Sequence, residues 1–262
     1  MTEGMPALAS HAAYAHCPKC GQAPLPQDQS FPAACPRCGV IFAKVGQSPV
    51  RRTRNKEADA ADASADGWLA RFGHVPERVD ATAFWLRVAL LAAFAGWGLV
   101  LIRLDYRDGE MAQAFLHRPL LVFHEAGHLV FRAFGEWVSV LGGTLGQLLL
   151  PLVLMVALLR KPDPFGAAIG LWFLGVSVLD IAPYMYDALH PQLMLLSGTT
   201  GEEGGHDWIY LFRSMGLLTR AQRIGGLTHT LGALVIMVAL GWAGWVLRKQ
   251  HPRIAAEVLH EE

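Results

Sequence analysis

The stretch HRPLLVFHEAGHLVF, residues 117–131, places two histidines and a glutamate inside an apolar run. Residues four apart lie on one face of an α-helix, so His124 and His128 can hold one metal ion together. Glu125 stands beside them, where it can take a proton from water at the metal. A pair of hydrogen-bonded core histidines is the simpler alternative, but ionisable groups within an apolar segment usually mark function. The stretch therefore predicts a zinc-binding helix with Glu125 as the catalytic base.

The chain on both sides of this stretch is apolar enough to enter a bilayer. Of its 262 residues, 53% are hydrophobic and 17% are charged, which argues against a purely soluble protein, a disordered chain or a disulfide scaffold. A membrane span needs about 20 apolar residues. We therefore expect a mainly α, polytopic membrane helix bundle, in which the Gly-rich residues 141–146 form a loop, an edge strand or a re-entrant piece. About five spans are predicted, at residues 82–102, 115–134, 144–159, 165–186 and 227–247.

The distribution of charge predicts the orientation of the chain. The 22 basic and 22 acidic residues cancel, so no nucleic-acid partner is expected. Residues 1–16 lack the basic start and apolar run of a signal peptide. The basic residues within 51–56 predict that the N-terminal segment is cytoplasmic. Five spans then place the basic tail that follows residue 247 outside, against the charge rule, unless residues 208–218 dip into the membrane or the count is wrong by one.

The cysteines predict a second metal site near the N-terminus. Each CxxC-Gly unit suits a tight knuckle, and two knuckles complete a tetrahedral four-thiolate zinc shell with no open position. The spacing favours structural zinc over disulfides, which implies a reducing compartment. Residues 14–45 resemble the zinc ribbons of bacterial and archaeal proteins, with a strand expected at residues 39–42, and residues 46–80 form a basic, Ala/Asp-rich linker. The four cysteines are Cys17, Cys20, Cys35 and Cys38.

Residues 82–247 resemble the site-2-protease-like family of intramembrane zinc metalloproteases. The HExxH of residues 124–128 matches the family's first motif, which supplies two zinc ligands and the general base, and the Gly-rich residues that follow also resemble the family. The second motif of the family is Asn-x-x-Pro followed by Asp-Gly, whose aspartate is the third ligand. Here Asp180 replaces the asparagine, Pro183 keeps its spacing, Asp187 comes one residue early and Ala188 replaces the glycine. The resemblance thus implies a divergent branch of the family.

Several residues compete as the third protein ligand that a catalytic zinc ion needs. The resemblance and the predicted topology favour Asp187. His206 is the main rival, because its flanking glycines would let the loop approach a metal and imidazole is a good zinc ligand. Asp207 is expected to be the N-cap of a helix over residues 208–218, and its spacing from Glu203 makes the two a weaker ligand candidate.

Two further polar residues are candidates for contact with a substrate. Asp180 could position a substrate or the water at the metal, as the family's asparagine does, or it could pair with a tyrosine or a backbone group in the bundle. Gln147 could hold a substrate segment in place. The sequence leaves these alternatives open.

These observations predict an integral protein of the bacterial inner membrane with a cytoplasmic zinc ribbon. Residues 81–250 would form a metalloprotease-like domain that hydrolyses a peptide bond of a membrane protein near the cytoplasmic face. The chain would hold one catalytic and one structural Zn²⁺, and its ribbon would bind a protein partner. The altered second motif motivates an alternative, a membrane zinc-binding scaffold or regulatory protein of the same fold. A zinc transporter is disfavoured, because no second series of polar residues lines a path.

Overall fold

The computed structural model describes residues 14–29, 33–42 and 67–258. The chain divides into two compact units, Met1–Ala65 and Asp66–Glu262, and the second is mainly α-helical. Its helices are α1 (Ala81–Arg103), α2 (His117–Phe131), α3 (Glu136–Arg160), α4 (Pro164–Asp187), α5 (Asp207–Met215) and α6 (Ala221–Val258). Short 3₁₀ turns lie at Trp68–Gly73, Glu110–Gln113, Arg132–Phe134, Gly201–Glu203 and Leu218–Arg220.

Four segments of the described chain are long and apolar enough to cross a membrane. They are α1, α3, α4 and the segment Leu218–Ile254, which contains most of α6. These helices agree with the expected integral membrane protein. The predicted count of about five spans is not confirmed, because α2 has only 15 residues. Such a helix is about 22 Å long, which is short of a hydrocarbon core about 30 Å thick.

Helix α4 lies at the centre of the second unit. Its side chains Trp172, Val176 and Leu179 are fully buried, and they pack against residues of α1, of α6 and of the segment before α2. Glycines allow close contact with α6: a Cβ at Gly175 would lie 2.7 Å from Cγ1 of Ile236. Because α4 is enclosed by its neighbours, its polar residues point into the protein interior.

Helices α2 and α3 form an antiparallel hairpin through a turn at Gly135, whose φ of 95° favours glycine. The two backbones nearly touch: a Cβ at Gly127 would lie 2.0 Å from the carbonyl oxygen of Gly142, and one at Gly146 would lie 2.4 Å from that of Phe123. The expectation that residues 141–146 form a loop, an edge strand or a re-entrant piece is therefore wrong, since they are helical. Their glycines serve close helix packing, as small residues commonly do in membrane bundles.

The cysteine-bearing unit contains two similar turns. The N–H of Gly21 donates to the carbonyl oxygen of Cys17 at 2.8 Å, and the N–H of Gly39 donates to that of Cys35 at 2.9 Å. Both glycines have φ near +70°, at 72° and 69°. Among residues 33–42, the expected strand is reduced to an isolated bridge between Ala34 and Ile41.

Most of the predicted linker lies outside the described residues, but its last part belongs to the second unit. Residues 68–73 form a 3₁₀ turn against α6, where the indole N–H of Trp242 donates to the carbonyl oxygen of Phe72 at 2.8 Å. The ammonium group of Lys249 donates to the carbonyl oxygen of Gly73 at 2.9 Å. The start of α1 and the end of α6 therefore lie at the same end of the bundle.

The close α2–α3 contact makes Gly127 sensitive to substitution. We expect Gly127→Ala to lower the free energy of unfolding by about 1–3 kcal/mol, because the added methyl group would overlap a backbone carbonyl. Thermal unfolding in detergent, followed by circular dichroism, measures the effect. Gly96→Ala is the matched control, since a Cβ at that helical glycine meets no atom within 4 Å. Equal stability of the two variants would contradict the proposed role of the contact.

Candidate metal centres

The α2–α3 hairpin orients the first pair of histidines. Nδ1 of His128 lies 2.8 Å from the carbonyl oxygen of Ser139, and the hydroxyl of Ser139 donates to the carbonyl oxygen of His128 at 3.1 Å. A ring nitrogen that faces a carbonyl oxygen must carry the proton, so Nε2 of a neutral His128 presents a lone pair. Such an outer hydrogen bond is typical of metal-binding histidines.

A carboxylate from the start of α5 completes the group. Oδ2 of Asp207 lies 2.9 Å from Nε2 of His124 and 3.3 Å from Nε2 of His128. The backbone N–H of Asp207 donates to the hydroxyl of Tyr184 at 3.1 Å, which ties the start of α5 to α4. The structure therefore brings together two imidazoles and one carboxylate from distant parts of the chain.

The three ligand atoms fit a zinc ion. Ligands about 2.0–2.1 Å from a tetrahedral zinc ion are about 3.3 Å apart, close to the separations of the two Nε2 atoms from Oδ2 of Asp207. A neutral His128 would face the ionised carboxylate with a lone pair, and either a proton on Nε2 or a metal cation between the two atoms would relieve this repulsion. Burial raises the pKa of Asp207, but hydrogen bonds with His124 and His128 lower it below its usual range, so the carboxylate is ionised.

Glu125 lies beside this group and is exposed. One of its carboxylate oxygens lies within 4.8 Å of a ring nitrogen of His124 and of one of His128. All four side chains line one cavity of about 580 Å³. Glu125 can therefore reach water in the cavity, as a general base must.

A glycine of α3 leaves the space that this site needs. A Cβ at Gly143 would lie 2.5 Å from Nε2 of His128 and 2.6 Å from Nε2 of His124. Any side chain at this position would displace the imidazoles. Glycine is therefore needed at position 143 because it leaves room for the imidazoles, and this need is independent of turn formation.

The structure places Asp187 and His206 together, in contact with each other. Oδ2 of Asp187 lies 3.3 Å from Nε2 of His206, and both side chains are buried. Oδ1 of Asp187 accepts the backbone N–H groups of Gln192 at 2.7 Å and Leu193 at 3.1 Å. The carboxylate that lies against His124 and His128 is thus that of Asp207, which the sequence assigned to an N-cap. The N-cap of α5 is instead His206, whose Nδ1 accepts the N–H of Ile209.

Asp180 and Gln147 form a second polar cluster along the same cavity. Oδ2 of Asp180 accepts the side-chain amide of Gln147 at 2.7 Å, and Oδ1 lies 2.8 Å from Nδ1 of His117. Asp180 therefore pairs with side chains of α2 and α3, rather than with a tyrosine or a backbone group. These contacts satisfy a buried carboxylate, as burial requires.

The four cysteines of the first unit converge on one point. Sγ of Cys17 lies 3.6 Å from Sγ of Cys38, and Sγ of Cys20 lies 3.8 Å from Sγ of Cys35. All four sulfur atoms lie within 4.8 Å of one another, and none is in a disulfide. Thiolates about 2.3 Å from a tetrahedral zinc ion are about 3.8 Å apart, so this cluster fits such an ion.

The proton affinities of the thiols show why the cluster suits a cation. Burial raises the pKa of Cys17, but the N–H groups of Cys20 and Lys19 and the neighbouring thiols lower it to about 6. The N–H of Gln22 lowers the pKa of Cys20, yet burial and the other three thiols raise it to about 12. One thiol therefore ionises readily, whereas ionisation of a second thiol beside it is unfavourable. A bound cation would offset the repulsion between the two thiolates.

The sequence offered little indication that Asp207 would meet the two histidines. Asp207 belongs to GGHDW, residues 204–208, and its spacing from Glu203 was the only ligand-like pattern that included it. Its distance of 83 residues from His124 hides the contact from any local pattern.

Comparisons with models of protein families, with curated proteins and with solved structures find no match for this chain. Its function is therefore inferred from the sites themselves.

Gly143 provides a test of the histidine site that removes no ligand. We expect Gly143→Ala to lower zinc binding from two ions per chain to one, because the methyl group would occupy the space beside both Nε2 atoms. Metal content after dialysis, measured by plasma mass spectrometry, gives the number of ions. Gly241→Ala, in open space on α6, should keep two ions. Two retained ions in Gly143→Ala would argue against a metal between these imidazoles.

Proposed function

We propose that this protein is an intramembrane zinc-dependent peptidase that hydrolyses a peptide bond of a membrane protein. The observation that carries the proposal is the carboxylate of Asp207 against Nε2 of His124 and of His128, with the exposed Glu125 beside them. Two histidines, one carboxylate and an open position are the usual arrangement of a catalytic zinc site. The resemblance of the HExxH segment to the site-2-protease-like family supports the same activity.

Each residue of the site has a role in this chemistry. His124, His128 and Asp207 would hold the ion, which supplies a Lewis acid that polarises a carbonyl group and acidifies water. Glu125 would accept the proton of the attacking water and deliver it to the leaving amine. This role requires that the side chain of Glu125 contacts the cavity. Gly143 keeps the space beside the imidazoles free.

The cavity suits a peptide segment as the substrate. Its volume of about 580 Å³ is in the range of ligand-binding clefts. One wall carries polar groups of Gln147 and Asp180, and another consists of the apolar residues 193–196. Since residues 138–146 are helical, they offer no strand edge to a substrate. We therefore place the substrate in the cavity.

The chain path supports an inference about the face of the membrane on which the site lies. The ring of Tyr106, just beyond α1, contacts that of Tyr186 near the end of α4, and Tyr184 binds Asp207. The site thus lies at the end of the bundle where α1 and α4 end. The five predicted spans imply a site near the cytoplasmic face, whereas four spans with a cytoplasmic start of α1 would imply a site near the opposite face. With this orientation, the basic ends of α3 and α6 would lie on the cytoplasmic side, in agreement with the charge rule.

The cysteine cluster has a separate role in this proposal. We assign it a structural zinc ion within a ribbon that binds a cytoplasmic protein partner, since four thiolates leave no open position for catalysis. A membrane zinc-binding scaffold would share both metal sites, and the altered residues around Asp180 and Asp187 favour it as the second candidate. Cleavage of a substrate distinguishes the two functions.

Glu125→Gln tests the catalytic assignment. We expect this variant to keep two zinc ions per chain and to lose cleavage by at least about 100-fold, because the amide cannot accept the proton. Cleavage of membrane-protein reporters in proteoliposomes, together with metal content, measures both quantities. Glu202→Gln, another exposed glutamate outside the cavity wall, should keep full activity.

Undiminished cleavage by Glu125→Gln would overturn the role of Glu125. A wild-type chain that holds two ions and cleaves no reporter would favour the scaffold. A wild-type chain that holds only the ion of the cysteine cluster would exclude both candidates.

The orientation is tested by labelling introduced cysteines in intact cells. Met194 is 71% exposed beside the cavity, and Arg160 is exposed at the other end of the bundle. We expect a membrane-impermeant thiol reagent to label Met194→Cys in intact cells, and Arg160→Cys only after permeabilisation. The reverse pattern would place the site at the cytoplasmic face.

A further inference from the structure

We propose that Asp187 and His206 form a positioning pair that holds Asp207 against His124 and His128 without contacting the metal. The inference rests on the metal site of the proposed function, and it assigns a role to two buried residues that this site leaves unused. Both are polar and buried, and they lie at the junction between α4 and α5.

One hydrogen bond and close packing restrict the imidazole of His206. Its Nδ1 accepts the backbone N–H of Ile209 at 3.3 Å, and its ring stacks on that of Tyr184 with centroids 4.1 Å apart. The backbone of Gly201 covers the ring, since a Cβ there would lie 2.7 Å from Cδ2 of His206. His206 immediately precedes Asp207, so its fixed ring restricts where the next residue can place its carboxylate.

Asp187 lies close to the remaining ring nitrogen of His206. Because Nδ1 of His206 accepts a hydrogen bond, a neutral ring carries its proton on Nε2, which faces Oδ2 of Asp187 at 3.3 Å. Neither atom has a hydrogen-bond partner among the described residues, so the contact between them is one of charge and proximity. Oδ1 of Asp187 also accepts the N–H groups of Gln192 and Leu193. One carboxylate thus connects the end of α4 to both ends of the segment that leads to Asp207.

Tyr184 joins this pair to the metal site. Its ring stacks on His206, while its hydroxyl accepts the backbone N–H of Asp207 at 3.1 Å. A movement of His206 would therefore move Tyr184, the backbone of Asp207, or both. Outer contacts of this kind orient metal ligands, and their loss typically weakens metal binding 10–100-fold.

We infer a positioning role rather than ligation from the contacts of Asp187 and His206. Oδ1 of Asp187 is occupied by two backbone amides, and Nδ1 of His206 by a third. The only remaining pair of polar atoms, Oδ2 and Nε2, face each other. The two residues favoured by sequence as third ligands therefore support the residue that takes this role.

Zinc affinity of the full chain in detergent tests the proposal, with Asp187→Asn and His206→Asn as variants. Asp187→Asn keeps an oxygen for the two amides but removes the charge that faces His206. His206→Asn keeps a side chain able to cap α5 and removes the contact with Asp187. We expect both variants to bind two ions at saturation. In chelator competition, the histidine site should bind zinc about 10–100-fold more weakly than in the wild-type chain. The cysteine cluster is the internal reference for folding, and its affinity should not change.

Cobalt substitution separates positioning from ligation. We expect the Co²⁺ absorption bands of the histidine site to keep their positions in Asp187→Asn, because the ligands are the same, and to shift in Asp207→Asn. Tyr184→Phe should weaken zinc binding in the same direction as Asp187→Asn, which gives an independent test if one variant folds poorly.

Two results would overturn the positioning role while leaving the proposed function intact. Unchanged zinc affinity in both Asp187→Asn and His206→Asn would show that the pair does not support Asp207. Loss of one ion at saturation in either variant, as complete as in Asp207→Ala, would make the altered residue a ligand. A wild-type chain with one ion, in contrast, would overturn the metal site itself.

Discussion

Helices α2 and α3 approach each other so closely at Gly127 that a Cβ at this position would overlap the carbonyl oxygen of Gly142. The metal site depends on this contact in two ways. It brings Nδ1 of His128 to the carbonyl oxygen of Ser139, which leaves Nε2 as the nitrogen available to a metal ion. It also places Gly143 beside the imidazoles, where only a hydrogen atom fits. One steric constraint therefore sets the spacing of the helices, the tautomer of a ligand and the space for an ion.

Polar groups inside an apolar bundle require partners, and this requirement organises the rest of the site. Asp180 is satisfied by His117 and Gln147, so that α2, α3 and α4 are joined by side-chain contacts as well as by packing. The carboxylate of Asp207 faces two imidazoles. A charge without such partners would be costly in this environment. The polar side chains of the cavity thus stabilise the arrangement that the proposed chemistry needs.

The sequence predicted those features that depend on local geometry. The spacing of residues 124 and 128 is a property of one helix, and the structure keeps these imidazoles close together. The two CxxC-Gly units predicted a cluster of four cysteines, and the sulfur atoms converge as expected. Hydropathy predicted apolar helices at four of the five expected spans. The fifth span is not confirmed, because α2 has only 15 residues, and an apolar composition does not by itself give the length of a helix. The prediction of a non-helical segment at residues 141–146 rested on their glycines, and glycines that suit a loop suit close helix packing equally well.

By itself, the sequence predicted helices apolar enough to span a membrane, a pair of histidines that could hold a metal ion beside a carboxylate, and a cluster of four cysteines. Each of these is contained in one short segment, whose conformation follows from residue type and periodicity. The tertiary structure alone decided which acid meets the histidines. The sequence favoured Asp187, then His206, and gave Asp207 less weight, but the packing of α5 against α4 turns Asp207 toward the imidazoles. That choice depends on contacts between residues 83 positions apart, which no local pattern encodes.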